Sequence, residues 1–253
     1  MIKVRDISDY INSFAPYCTK CDWDNCGIMV GNYDAEVKKI ALALDITHET
    51  FIEAKGFGAD LIITHHPVIF KPQLNFVKGN LAYELAISNM NAISAHTCFD
   101  SANGGVNDVL CEILSIENTE TVPSAESTSP IARIGNISPM TSEELASYVA
   151  GKLNTLCRVH NSDKIISKVA VCGGAGMDFF DDAIKMGAEA YVTGDANHHD
   201  FLKAAEKGIT LIAAGHFETE YPSMARLMEL ISNKFPELEY LVINQTNPVK
   251  FIG

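Results

Sequence analysis

Histidines and carboxylates occur in this sequence at spacings that suit metal ligation. Two histidines are adjacent at the end of the apolar run Leu61-Ile-Ile-Thr64, and two others are each followed four residues later by a carboxylate. The i, i+4 spacing places both side chains on one face of a helix. Together these features provide six candidate ligands: His65, His66, His96, Asp100, His216 and Glu220.

Six imidazole and carboxylate groups exceed what one metal ion needs. A catalytic zinc usually takes three protein ligands plus water, so the set suits two ions that share one site with a bridging carboxylate. Imidazole and carboxylate ligands fit Zn, Fe, Mn, Co or Ni, and the sequence does not choose among these metals. Each i, i+4 pair taken alone is also typical of a surface ion pair.

The two halves of the chain repeat one another. Residues 28–66 align with residues 157–195 at a shift of 129, and ten of the 39 aligned pairs are identical. At a shift of 120, the segment His96–Asp100 falls on His216–Glu220. This recurrence strengthens the metal interpretation, because a duplicated unit can supply a histidine and a carboxylate from both sides of one interface.

Apolar runs that alternate with amphipathic segments predict an α/β fold with two similar lobes and mainly parallel sheets. In the first half we expect helices over 5–14, 47–55 and 80–89, and strands over 27–31, 39–45, 59–64 and 92–95. In the second half we expect a helix after the capping box Thr141/Glu144, helices over 178–186, 198–207 and 222–233, and strands over 157–160, 166–172, 190–193, 210–214 and 239–244. The candidate ligands then follow strand ends, where parallel α/β sheets bind ligands.

A polar connector rich in Pro, Ser and Thr spans residues 117–130. We place the lobe boundary there, which divides the chain into lobes 1–122 and 123–253. The first lobe then carries the two adjacent histidines and the His96/Asp100 pair, and the second carries Asp195 and the His216/Glu220 pair.

Composition limits the classes of partner. The formal charge is −13 with 32 acidic and 19 basic residues, which argues against nucleic acid as a direct partner because phosphate binding relies on Lys and Arg. An anionic small molecule remains compatible, since a bound divalent cation reverses the local field. No apolar run is long enough for a membrane helix and no secretion signal is visible, so we expect a cytoplasmic protein with reduced thiols. The Cys18-Thr-Lys-Cys21 motif could be redox-active, half of a zinc site, or ordinary thiols near a loop, and the sequence contains no second C-x-x-C to complete a zinc site.

Three further motifs have two interpretations each. The turn Cys172-Gly-Gly-Ala-Gly176 could hold a phosphate at a helix N-terminus or could be a tight turn. Gly104-Gly-Val-Asn-Asp108 could likewise be a turn, with either Asn107 or Asp108 as the cap of a helix. His198 and His199 open a helix and could face a substrate or lie on the surface.

These residues together resemble the family of GTP cyclohydrolase 1 type 2 homologs, the Nif-three-like or YbgI-like proteins. The resemblance runs through nearly the whole chain and rests on motifs in a fixed order: Trp23-Asp-Asn-Cys-Gly27, Thr64-His-His-Pro67, Ala95-His-Thr-Cys-Phe-Asp100, Gly104-Gly-Val-Asn107, Thr193-Gly-Asp195, His198-His199 and Ala214-Gly-His216 with Glu220.

The resemblance implies a three-layer α/β/α fold with a dinuclear metal centre between two lobes, and an assembly of dimers into a toroidal homohexamer. Carried over by position, the metal ligands are His65, His66, Asp100, His216 and Glu220, with His96 a ligand or close to the metals. Cys98 departs from the family pattern and places a thiol near the metals. The connector is too short for the domain that some relatives insert.

Two functions fit these observations. The first is a metal-dependent hydrolase of a nucleotide or phosphorylated small molecule, in which His96 or His198 moves protons. The second is a non-catalytic metal carrier or a regulatory module that binds a partner. The family name suggests GTP, but no guanine pocket is evident in the sequence.

Overall fold

The computed structural model describes residues 1–124 and 129–250. The chain divides into two compact units. The first comprises Met1–Asn103 and Met224–Thr246, and the second comprises Gly104–Ser223 and the segment from Asn247 onward. The sequence-based boundary between residues 122 and 123 falls inside the second unit, and part of the predicted connector, residues 125–128, lies outside the described residues.

Helices and strands alternate along most of the chain. The helices are α1 (Val4–Phe14), α2 (His48–Phe57), α3 (Leu81–Ile87), α4 (Thr97–Ser101), α5 (Val106–Ile113), α6 (Ser142–Leu153), α7 (Phe180–Lys185), α8 (His198–Lys207), α9 (His216–Glu220) and α10 (Ser223–Lys234). The strands are β1 (Gly27–Val30), β2 (Lys39–Ala43), β3 (Leu61–Thr64), β4 (Asn91–Ser94), β5 (Glu117–Thr121), β6 (Arg133–Thr141), β7 (Arg158–His160), β8 (Ile165–Cys172), β9 (Ala190–Thr193), β10 (Thr210–Ala213) and β11 (Glu239–Val242).

Each unit contains one sheet, and the two sheets share a four-strand pattern. The order is β1-β4-β3-β2-β11 in the first and β5-β6-β8-β9-β10-β7 in the second. Ile40 pairs with Leu61 across β2 and β3, and Val169 pairs with Ala190 across β8 and β9. Both residues of the second pair lie 129 positions after their counterparts, so the register repeats as the sequence does. The prediction of an α/β fold with two similar lobes is confirmed.

The strand directions differ between the sheets. In the first sheet β11, β2, β3 and β4 run parallel and β1 is antiparallel. In the second sheet only β8, β9 and β10 are parallel, whereas β5, β6 and β7 pair antiparallel. The expectation of mainly parallel sheets therefore holds for the first sheet. The second is mixed because β5 and β6, outside the repeat, add two antiparallel strands to the antiparallel β7, which corresponds to β1.

The segment predicted as a connector begins with a strand. Residues Glu117–Thr121 form β5, whose five residues are all exposed. It lies at the edge of the second sheet and pairs only on one side, with β6. A polar, exposed strand has no apolar alternation, so the pattern that predicts strands cannot detect it.

The core of each unit is apolar and packs helices on its sheet. In the first unit Ala41, Ala43 and Ile62 pack with Phe51 of α2 and Leu85 of α3. Their neighbours on the other face of the same strands, among them Ile40, Leu42 and Ile63, are also buried. Burial on both faces explains why these strands are continuous apolar runs.

The second unit begins earlier than the sequence suggested because α5 belongs to its core. Leu110 and Leu114 pack with Val149 of α6 and with Val169 and Val171 of β8. The chain returns to the first unit at its end, where β11 pairs with β2. The helix predicted after Thr141 is confirmed, and its capping box with Glu144 is formed. Among the described residues, no helix is long and apolar enough to cross a membrane.

Candidate metal centre

Three histidines of the first unit lie together beyond the ends of two parallel strands. His65 and His66 follow β3, and His96 follows β4. Their ring centroids are 5.0 to 5.3 Å apart, and one ring nitrogen of each lies within 4.8 Å of the others. Because β3 and β4 are parallel neighbours, their carboxyl ends meet at one edge of the sheet, which brings residues 30 positions apart into one cluster.

Each of these histidines uses Nδ1 for a hydrogen bond within the unit. His65 Nδ1 lies 2.9 Å from the carbonyl oxygen of Ala95, His66 Nδ1 lies 2.8 Å from Asp45 Oδ1, and His96 Nδ1 lies 2.7 Å from Asp24 Oδ1. Carbonyl and ionised carboxylate oxygens only accept, so Nδ1 must carry the proton and Nε2 the lone pair of the neutral ring. Metal-binding histidines are oriented by this type of outer hydrogen bond.

Asp24 is the most extensively bonded of these partners. Its buried carboxylate accepts hydrogen bonds from His96, from the backbone N–H and hydroxyl of Thr97, and from the thiol of Cys26. Burial by itself would raise the pKa of Asp24, but the hydrogen bond and charge of His96, with the other donors, hold that pKa well below its usual range. A permanently ionised Asp24 therefore holds the His96 ring in one orientation.

Asp100 completes the donor set of the first unit. Its carboxylate is buried, and Oδ1 lies 3.5 Å from Nε2 of His65. The neighbouring thiol of Cys98 is also buried. Its hydrogen bond with Cys26 and its burial together raise the pKa of Cys98 well above its usual range. Cys98 is thus held as a neutral thiol, whereas the thiolate is the form that binds metals.

The second unit places its own histidine and carboxylate at the equivalent position. On α9, Nε2 of His216 lies 3.1 Å from Oε2 of Glu220, and Nδ1 lies 2.7 Å from Oδ2 of Asp195. Burial would lower the pKa of His216, but the hydrogen bonds and charges of both carboxylates raise it to about 9. A metal ion that binds this imidazole near neutral pH must displace a proton.

The glycine-rich turn after β8 packs against this pair. Gly174 has φ +61°, and a Cβ there would overlap Glu220 Oε1 and lie 3.2 Å from His216 Nε2. Its carbonyl accepts from the backbone N–H of Asp195 at 2.8 Å, and its N–H donates to Thr219 Oγ1 at 3.1 Å. Residues 173–175 form a tight turn, which gives the Glu220 carboxylate its space.

The remaining sequence candidates, His198 and the two cysteines of the C-x-x-C motif, belong to none of the potential metal clusters among the described residues. His198 is the exposed first residue of α8, with its ring 5.6 Å from that of His199. Cys18 is exposed and Cys21 is buried. The sequence patterns predict no role for Asp24 or Asp45. Asp45 follows β2 as the histidines follow β3, and that position is the one signal in the sequence that indicates it.

Comparison with known proteins places the chain in a family. Residues 2–248 match the family Duf34/NIF3 (NGG1p interacting factor 3). The chain is 34% identical to a Clostridium perfringens protein named GTP cyclohydrolase 1 type 2 homolog, over 99% of this chain and 100% of that protein. It is 35% identical to a protein of the same name from Clostridium acetobutylicum, over 99% of each. A crystal structure of a Staphylococcus aureus hypothetical protein superposes with a TM-score of 0.90 at 26% identity, over 99% of both chains. The chain therefore belongs to the Duf34/NIF3 family.

Proposed function

We propose that this protein is a dinuclear metal-dependent hydrolase of a nucleotide or another phosphorylated small molecule. The observation that carries the proposal is the shared hydrogen-bond pattern of four histidines. Each bonds through Nδ1 to a carbonyl or carboxylate oxygen, which leaves Nε2 as the basic nitrogen in the neutral ring. That pattern is the outer shell of metal-binding histidines, and it occurs in both units.

The donor set fits divalent transition metals. His65, His66 and Asp100 in the first unit, with His216 and Glu220 in the second, would bind two ions, and Glu220 would bridge them. Such ions, when bound, supply acidification of water and orientation of a substrate oxygen. Neutral imidazoles and carboxylates suit Zn, Fe, Mn, Co and Ni alike, so the metal is identified by analysis of the purified protein.

The proposed proton carriers are two histidines outside the ligand set, His96 and His198. His96 is held by Asp24 within 5.3 Å, ring to ring, of both adjacent histidines, so it is suited either to a third imidazole ligand or to a proton carrier. His198, exposed on α8, is the second proposed carrier. His198→Ala should lower kcat and leave the metal content unchanged, whereas His96→Ala should lower both if His96 is a ligand.

The ligand assignment is tested by metal stoichiometry. Glu220→Ala should lower the occupancy of both ions together, because a bridging carboxylate is lost from each. His65→Ala and His66→Ala should each empty mainly one position, since neighbouring residues at a strand end point in different directions. His48→Ala, an exposed histidine at the start of α2, is the matched control. Two metals per chain retained in Glu220→Ala would refute the bridge.

Catalysis is tested separately. Protein loaded with Mn, Zn, Fe or Co and shown by elemental analysis to be full is screened against nucleotides and phosphoesters. Turnover that disappears with the ligand variants supports the hydrolase. Full loading without turnover, together with transfer of the metal to an apo-acceptor, would instead establish a metal carrier, for which the acidic charge of −13 favours a basic partner.

We also propose the assembly that the family resemblance implies, a toroidal homohexamer. Its mass in solution, measured by light scattering coupled to gel filtration, would be six times the 27.5 kDa of the chain. A monomer or dimer at all concentrations would contradict it.

A further inference from the structure

We infer that Trp23 and Phe70 form a stacking subsite for the planar base of a nucleotide beside the three histidines of the first unit. The two aromatic side chains touch, with ring centroids 5.7 Å apart and planes inclined by 50°. Both rings also contact His96, at 5.9 Å for Trp23 and 6.3 Å for Phe70. The inference rests on the proposed metal centre and names the class of molecule that centre receives.

The rings are exposed, although they are large and apolar. Trp23 is 60% exposed and Phe70 is 44% exposed. Single exposed apolar residues are common in proteins and need no explanation. Two contacting aromatic rings that both adjoin a histidine of a candidate metal cluster are a contiguous apolar patch at a polar site, which is typical of a ligand-binding surface.

The backbone beneath the rings is fixed by hydrogen bonds. Asn25 Nδ2 donates to the carbonyl oxygen of Ile69 at 2.7 Å, which joins the loop of Trp23 to the loop of Phe70. Lys20 Nζ donates to the carbonyl oxygen of Asp24 at 2.6 Å, next to Trp23. An aromatic pair on a held backbone loses little conformational entropy when a ligand binds, and this preorganisation favours affinity.

The position of the pair determines the chemistry of its ligand. An anionic group bound by metal ions at His65 and His66 would lie beside His96, whose ring contacts both aromatic rings, so the rest of the molecule can extend over them. Stacking on indole and phenyl faces needs a flat ring and tolerates any base, because every base has a π-face. A nucleotide combines both parts, a planar ring and an anionic group joined by one sugar.

Trp23 is the single tryptophan of the chain, so its fluorescence reports on the subsite directly. Metal-loaded protein is titrated with AMP, GMP and ribose 5-phosphate, which has the sugar and phosphate without the base. We expect both purine nucleotides to quench Trp23 saturably and ribose 5-phosphate to bind without quenching. Quenching by neither nucleotide would overturn the inference.

Variants separate stacking from metal binding, with affinities measured by calorimetry. Trp23→Leu should weaken the binding of AMP and GMP by about 5- to 150-fold, the range expected for loss of base stacking. Trp23→Phe should retain most of the affinity. Ribose 5-phosphate binding and metal content should not change in either variant. Tyr33→Leu, which removes an aromatic ring that is 56% exposed elsewhere in the unit, is the control and should bind like the parent.

The outcomes distinguish this inference from the proposed function. Nucleotide binding that depends on Trp23, without turnover, supports the subsite and contradicts the hydrolase. AMP and GMP affinity or turnover that is equal in Trp23→Leu and the parent overturns the subsite and leaves the hydrolase. Trp23 fluorescence that changes with protein concentration and not with nucleotide would show that a second copy of the chain covers the rings, and no binding of any phosphorylated probe would overturn both.

Discussion

Replacing Gly174 with alanine should weaken the binding of both proposed metal ions, which share Glu220, while leaving the fold intact. Gly174 lies at φ +61°, where alanine costs about 1–2 kcal/mol. The added methyl group would overlap Glu220 Oε1 and lie 3.1 Å from the carboxyl carbon. Since carbon atoms prefer separations of about 3.5–4.0 Å, the carboxylate must withdraw by roughly 0.5–1 Å, and metal–ligand distances tolerate only about 0.2 Å.

The expected loss of metal affinity is at least about 10- to 100-fold, which is the effect of disturbing an outer-shell partner of a ligand. Elemental analysis after dialysis gives the stoichiometry, and competition with a chelator gives the affinity. Gly173→Ala is a closely matched control, because its methyl group would meet Thr219, Val106 and Glu220 at ordinary contacts of 3.4 to 3.5 Å.

Unfolding by denaturant completes this experiment, since a variant that fails to fold would also lose metal. We expect Gly174→Ala to unfold cooperatively. In the absence of metal, its free energy of unfolding should be lower than that of the parent only by the cost of alanine at a left-handed backbone position. Equal metal affinity in Gly173→Ala, Gly174→Ala and the parent would refute the reasoning that Gly174 makes room for a ligand at Glu220.

Three further predictions test other contacts. Asp24→Asn should weaken metal binding by about 10- to 100-fold, because the amide nitrogen cannot accept the hydrogen bonds from Thr97 and Cys26 that hold the carboxylate against His96. Chelator competition measures this loss, and a similar loss in the exposed Asp22→Asn would contradict the prediction. Thr141→Ala should lower the free energy of unfolding, measured with guanidinium, by about 1 kcal/mol, because it removes the N-cap of α6. An unchanged midpoint of unfolding would show that the cap does not stabilise the protein. Burial raises the pKa of Cys157 to about 11, so its thiolate fraction is small at pH 8 and grows about tenfold per pH unit until that value. Maleimide should therefore label the exposed Cys18 first at pH 8, and mass spectrometry of the peptides that finds Cys157 labelled equally fast would contradict the raised pKa.

Local patterns in the sequence predict much of the fold because they are caused by local physics. Strands buried on both faces must be apolar throughout, so β2, β3, β9 and β10 were visible as apolar runs. The helix α6 was visible from its capping box, whose two hydrogen bonds join residues only three apart. The duplication was visible because the two units repeat one register, which requires similar side chains at matching positions.

Two features of the fold depend on pairings that leave no local pattern. The edge strand β5 is polar and exposed, and only its hydrogen bonds with β6 make it a strand. The end of the chain returns to the first unit because β11 adds to the edge of β2, a contact between residues about 200 positions apart. The boundary inferred from composition at residue 122 therefore differs from the division into compact units.

The sequence by itself determined which residue types could bind metal and that each half supplies a histidine with a carboxylate four residues later. Only the tertiary structure decided which groups orient them. Asp24 is 72 residues from His96 and Asp195 is 21 residues from His216, so no helical or strand periodicity relates these partners. Asp195 and His216 follow the neighbouring parallel strands β9 and β10, whereas Asp24 precedes β1, which pairs antiparallel with the strand before His96. These hydrogen bonds depend on strand pairing, which the spacing of residues along the chain does not record.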